Sequence, residues 1–264
     1  MRVPVETLQA FYTGRLGRVA RDMSARRLQA IWPDLSGDDV LAFGYCTPLL
    51  QNLPGTPRRI VSAMPGGQGC EIWPGDGPNA SVLSDEERLP FRDAMFDRVL
   101  LAHALEDAEN PARLLREIWR VSAPEARLLI IVANRRGLWS RTDATPFGHG
   151  RPFSRSQLHR FLSDALWRPT AYARAVYAPP LSWPIIAKAA DAWEQTGERF
   201  WPRFGGLLMV EAIKRVEITP DFSSAAPVAS PVSVGARPLS RDDDATGCAN
   251  CRKECASDLS DNRH

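Results

Sequence analysis

The chain has 264 residues, 33 of them Lys or Arg and 31 Asp or Glu, for a formal net charge of +2, and 44% are hydrophobic. That length gives one large domain, or one domain with appendages, with enough apolar material for a sizeable core. The charge balance offers no argument for a nucleic-acid or membrane partner, no run approaches the roughly 20 apolar residues of a membrane-spanning helix, and five cysteines make no disulfide framework in a chain this long.

Residues 1–6, Met-Arg-Val-Pro-Val-Glu, contain no apolar core of a secretory signal, so a cytoplasmic location is expected. Residues 5–31 are expected to form one helix. Leu8, Tyr12, Leu16, Val19 and Met23 share an apolar face, and Arg15, Arg18, Arg21, Arg26 and Arg27 take much of the rest. A basic arm for RNA or lipid is one reading of those arginines. A solvated outer face on a helix covering a sheet is the ordinary one.

Val40–Gly44 is a short apolar run and reads as a first strand; Gly44 permits a tight turn, and Thr47 can cap the helix that follows. Arg59–Met64 is a second strand. The stretch 65–78 then forms a long Gly- and Pro-rich loop holding Trp73, of a length that in compact domains is often functional. Asn79–Ser84 is a third, weaker strand.

The centre of the chain is a strand–helix–strand unit. Phe96–His103 and Arg127–Asn134 are continuous apolar runs, as expected of strands buried on both faces. Between them, Pro111–Val121 is apolar at 114, 115, 118, 119 and 121, a helical period, with Pro111 suited to the first turn. Ligands on such sheets bind at the carboxyl ends of strands. Ala102, His103, Ala133 and Asn134 therefore belong at the rim of a site. After the loop Thr145–Phe153, Ser154 and Gln157 form a capping-box signature. Thr170–Tyr177 is a strand, Trp183–Phe200 a helix and Gly206–Val216 a last strand, the two late strands making an antiparallel edge. From Thr219 the chain turns to Ser, Ala, Pro, Asp and Arg and is expected to be disordered. The organisation read here is a doubly wound α/β domain over 1–218 and a tail over 219–264.

Asp85-Glu86-Glu87-Arg88-Leu89-Pro90-Phe91, Met95-Phe96-Asp97-Arg98-Val99, His103-Ala104-Leu105-Glu106 and Leu115-Arg116-Glu117-Ile118-Trp119-Arg120-Val121, taken together, resemble class I S-adenosylmethionine-dependent methyltransferases, in the small-molecule, type 11-like branch. The resemblance covers roughly Asp39–Asn134. It implies a Rossmann-like, mostly parallel seven-stranded sheet, S-adenosylmethionine as cofactor and a small-molecule substrate. It places Asp85 near the adenine amino group, where a carboxylate can accept the N–H. It places Gly44 at the first glycine of the loop after strand one, and Phe43, Tyr45, Met64, Glu86, Leu101 and Ala102 around the cofactor.

Two departures from the family pattern stand in the sequence. The loop reads Gly44-Tyr45-Cys46-Thr47-Pro48 in place of Gly-x-Gly-x-Gly, so Cys46 and Pro48 replace glycines. Strand two ends Ala63-Met64-Pro65, with no carboxylate for the ribose hydroxyls; Glu71 lies further along the loop. These departures motivate an alternative: a catalytically inactive methyltransferase-like binding or scaffold protein.

His103 is the candidate general base, at the end of a buried strand with an ordinary pKa near neutrality; a packed histidine is the competing reading. His149 could meet substrate, and Arg135, Arg136 and Arg151 could neutralise an anionic one. Cys248, Cys251 and Cys255, even with His264, do not complete a structural zinc site in a folded context, so no metal is expected.

Overall fold

A computed structural model describes residues 2–142, 145–180 and 190–215, all within the unit Met1–Ile218. The expected tail with its three cysteines, and residues 183–189 of the expected late helix, lie outside the described residues.

Seven strands form one sheet in the order β3-β2-β1-β4-β5-β7-β6. They are β1 (Asp39–Gly44), β2 (Arg59–Pro65), β3 (Ser81–Ser84), β4 (Phe96–Ala102), β5 (Ser122–Ala133), β6 (Trp167–Ala175) and β7 (Leu207–Lys214). The first five are parallel, and β7 enters antiparallel between β5 and β6. The expected antiparallel edge is therefore present, with β6 outermost.

The helices follow from caps and apolar stripes. In α4 (Pro111–Val121), Asn110 accepts from the Arg113 amide and Pro111 opens the first turn. In α5 (Arg155–Asp164), Ser154 and Gln157 make the expected capping box. The third helix, α3 (Thr47–Leu50), is a single turn, and here the expectation is corrected: Cys46 takes the N-cap position and Thr47 is the first helical residue. The last helix is α6 (Ala190–Phe200). Among the described residues, no helix is long and apolar enough to cross a membrane.

The central strands alternate between two cores. Leu41, Phe43, Val99, Leu101, Leu128 and Ile130 face α4 and α5, whose Leu114, Leu115, Ile118, Leu158 and Leu162 are fully buried. Ala42, Leu100, Leu129 and Ile131 face the opposite side, against Ala20, Met23, Leu28 and Trp32. The period of two along each strand sorts the residues, and burial on both faces explains the continuous apolar runs.

The N-terminal helix is also corrected. Residues 5–31 form two helices, α1 (Val5–Thr13) and α2 (Arg15–Ile31), broken at Gly14, which is extended at φ −71° and ψ 165°. The break turns α1 away from the axis of α2. Close approach at the junction requires Gly17, where a Cβ would stand 2.1 Å from the Phe11 carbonyl oxygen and 2.6 Å from the Tyr12 Cα. Gly17→Ala would stabilise an isolated helix by about 1 kcal/mol. In this protein the sign reverses: the substitution lowers the melting temperature and speeds amide exchange across α1, because backbone must move to admit the methyl group.

Candidate active site

The parallel register carries three turns to one rim. Gly44 lies opposite Ala102, Phe43 opposite both Ala63 and Leu101, and Met64 is the next residue along β2. Tyr45, Pro65 and His103 therefore emerge at neighbouring carboxyl ends. Gly44 sits at φ +88°, a conformation that favours glycine. His103 sits at φ +49°, unusual for a residue with a side chain, at a cost of about 1–2 kcal/mol.

This rim is covered by the N-terminus. Val5 and Leu8 pack with Tyr45 and Met64 in one buried cluster that also receives Tyr12. The Val5 amide donates to Gln68 O at 2.8 Å, and Gln68 Nε2 donates to His103 O at 3.2 Å. Arg2 Nη1 donates to Ala104 O at 3.1 Å, and its other nitrogen pairs with Glu86. The Tyr12 hydroxyl lies 2.9 Å from His103 Nε2, and the His103 ring lies 4.6 Å from that of Phe147. Tyr45 donates to Glu71 at 3.2 Å. Residues 2–12 thus touch the loops after β1, β2 and β4 simultaneously.

The electrostatics follow from this burial. His103 is 5% exposed, and desolvation pulls its pKa down to about 4, so it is neutral at pH 7 and a weak base. Burial raises the Cys46 thiol to about 12 and keeps it protonated; its Sγ lies 3.4 Å from Phe43 O. Glu106, three residues beyond His103, is pushed up to about 7 by desolvation. Its Oε1 accepts from the Ala133 amide at 3.1 Å, and its Oε2 is buried with no partner among the described residues.

An adenosyl ligand of the kind implied by the sequence does not fit this rim as it stands. The space beside Gly44 is taken by the chain itself, where Val5, Leu8 and Tyr12 pack with Tyr45 and Met64. Phe43 and Met64 are fully buried, Leu101 and Ala102 are buried in the sheet, and Tyr45 is 3% exposed. What stays open is a hollow of about 810 Å³ beyond β2 and β3, with Gly66 and Gly67 on one side and Asp85, Glu86 and Glu87 on the other. Asp85 is exposed there, its Oδ1 accepting from the Glu87 amide at 2.8 Å.

Gly44, Tyr45, Met64, Ala102 and His103 are therefore brought together, with Phe43 and Leu101 one residue deeper in the sheet. Asp85 and Glu86 line the separate open hollow. Arg2, which also lines that hollow, links Glu86 to the Ala104 carbonyl at the closed rim. Sequence reasoning missed the covering role of Leu8 and Tyr12. Their apolar face was legible, but nothing in its spacing says which end of a sheet it covers.

Comparison with known proteins bears on this geometry. The family described as "Methyltransferase domain" matches residues 70–130, from the β2–β3 loop into β5. Demethylmenaquinone methyltransferases of Mycobacterium tuberculosis and Streptomyces griseus are 31% and 30% identical over 112 residues, 42% of this chain and 41% and 42% of theirs. The chain thus spans about two fifths of the length of those relatives. A methyltransferase of Haloferax volcanii, solved in complex with the Trm112 methyltransferase activator, superposes with a TM-score of 0.55 at 18% identity, over 80% of this chain and 95% of that one. An S-adenosylmethionine-dependent methyltransferase of Thermotoga maritima superposes at 0.52 and 13% identity, over 80% and 96%. At such identities these two share the fold.

Proposed function

We propose that this chain is a class I S-adenosylmethionine-dependent methyltransferase that transfers a methyl group from S-adenosylmethionine to a small molecule. The observation that carries the reading is the placement of the family-matching segment. It runs through β3, β4, α4 and β5, so its Asp85–Glu86 turn and its His103 stand at the ligand-binding ends of a parallel sheet.

The described arrangement is a closed one on this proposal. Residues 2–12 occupy the space between Gly44, Met64 and His103, and the donor enters only after they withdraw. His103 is then freed of Tyr12 and rehydrated, which returns its pKa toward neutrality and suits it to accept a proton. The substrate's identity lies with that open form. The quinone in the name of the mycobacterial and streptomycete relatives belongs to them; for this chain, small-molecule methylation is the common ground.

A second reading is favoured by one specific observation. Cys46, which stands where the family has a glycine, is fully buried in the core on the side of Ala42 and Leu49 and not in the cluster with Val5 and Leu8. A methyltransferase-like binding protein that has given up its cofactor would look the same. Calorimetric titration of the chain with S-adenosylmethionine and its demethylated product separates the two. Weak binding by the natural chain, strengthened when the N-terminal helix is loosened, is expected for the enzyme. No heat from either form at millimolar ligand establishes the binding protein instead.

A further inference from the structure

A second hollow, of about 550 Å³, opens at the carboxyl end of β5, beside the end of β6 and the start of α5. Its lining includes Arg136, Arg155, Arg174 and Arg203, with His159 and Tyr172, and contains no carboxylate. None of the four arginines has a carboxylate partner among the described residues. Elsewhere the chain pairs its arginines readily, as Arg58 and Arg59 with Asp39 and Arg120 with Glu117 show. Four guanidinium groups gathered around one concavity repel one another unless an anion joins them.

The arrangement is built. Asn134, 5% exposed at the end of β5, donates from Nδ2 to the carbonyls of Arg203 at 3.2 Å and Gly205 at 2.7 Å, and its Oδ1 accepts from the Arg136 amide at 3.3 Å. One buried side chain thus fixes the backbone at two of the four arginines. The Arg155 guanidinium lies 3.9 Å from the centroid of the Tyr172 ring, and the Tyr172 hydroxyl lies 2.8 Å from His159 Nδ1. Arg174 also lines the hollow, and its Nε is buried with no hydrogen-bond partner among the described residues. The amides of Arg155 and Ser156 open α5 ahead of its first intrahelical bond, from Leu158 N to Ser154 O, and add positive potential on the same side.

We propose that this arginine-lined hollow binds the phosphate group of a phosphate-bearing molecule. A tetrahedral dianion matches several guanidinium forks simultaneously, where a single carboxylate would satisfy only one. The site is distinct from the rim at Gly44 and His103, and its occupancy does not depend on methyl transfer.

The test is calorimetric titration of inorganic phosphate into the full chain at constant ionic strength, with chloride as the control. Saturable binding is expected in the natural chain. Arg174→Met and Arg136→Met each weaken it at least tenfold with an unchanged melting temperature, while Arg21→Met, at a remote pair with Asp22, leaves it unchanged. Sedimentation with vesicles containing phosphatidic acid identifies the source. Vesicle binding lost in Arg174→Met assigns a lipid headgroup, and phosphate binding without vesicle binding assigns a soluble phosphate ester. Heats equal to the chloride control, or equal binding by natural chain and Arg174→Met, overturn the proposal.

Discussion

Leu8→Asp should tighten binding of S-adenosylhomocysteine at least tenfold over the natural chain. Leu8, on α1, is fully buried in the cluster with the rim residues Tyr45 and Met64. Truncating a buried leucine costs about 2–5 kcal/mol, and a carboxylate in its place adds the cost of an unpaired buried charge. That penalty falls on the closed arrangement alone, because withdrawal of residues 2–12 leaves the introduced carboxylate in water. A ligand that needs the open form binds with its intrinsic affinity multiplied by the fraction open, so each 1.4 kcal/mol moved from closed to open gains about tenfold until the open form dominates. Titration calorimetry reads the affinity, and amide exchange over 5–13 reads the opening. Faster exchange without tighter binding would show that the crevice beneath does not take the ligand, and would leave the methyltransferase fold serving as a binding protein.

On the proposed function, Gly14 and Gly17 shape the lid. The bend at Gly14 directs α1 across the sheet's rim, and the bare Gly17 lets the two helices touch backbone to backbone. Segments held by side-chain packing on one face and a few hydrogen bonds open at lower cost than strands buried on both faces. Here the holding contacts are Val5 to Gln68, Tyr12 to His103 and Arg2 to Glu86. On that proposal the lid leaves without breaking the pairing of β1 with β2 and β4.

The sheet was legible because its strands are buried on both faces and so read as unbroken apolar runs, and because Pro111, Ser154 and Gln157 punctuate the helices by local hydrogen bonding. β5 begins at Ser122, well before the expected Arg127, because α4 runs directly into it with no turn residue between. The N-terminal break left little mark on the pattern because the apolar face continues in phase through Gly14, and one glycine in a helical pattern is tolerated. The closed rim was half legible. Cys46, Pro48 and Met64 announced an altered loop, but the occupant came from residues 2–12, far away in sequence. The arginine hollow was less legible still: Arg136 was a candidate, whereas Arg174 and Arg203 reach it only through β6 and the chain before β7.

Two buried groups near the rim give a second large effect, visible only when one is removed. Glu106 is raised from the ordinary 4.5 to about 7, so the folded chain retains a proton that the unfolded chain releases. Its contribution to stability is full below about pH 4.5 and is lost as the pH rises toward 7. His103 is lowered from 6.5 to about 4, so the folded chain refuses a proton that the unfolded chain takes. Its contribution is full above about pH 6.5 and is lost as the pH falls toward 4. Between those limits the two slopes are opposite and nearly cancel, leaving this pair almost silent in the natural protein. Glu106→Gln unmasks His103, and stability then climbs by roughly 3 kcal/mol from pH 4 to 6.5 relative to the natural chain; His103→Asn unmasks Glu106, and stability falls by a similar amount from pH 4.5 to 7. Urea unfolding midpoints across pH 4–8 at fixed ionic strength read both slopes, and curves parallel to the natural chain would mean that neither group is held as described. Combining Glu106→Gln with Leu8→Asp ties this result to the first: once α1 no longer shields His103, the acid-side slope should shrink, because water reaches an imidazole that the closed lid kept dry.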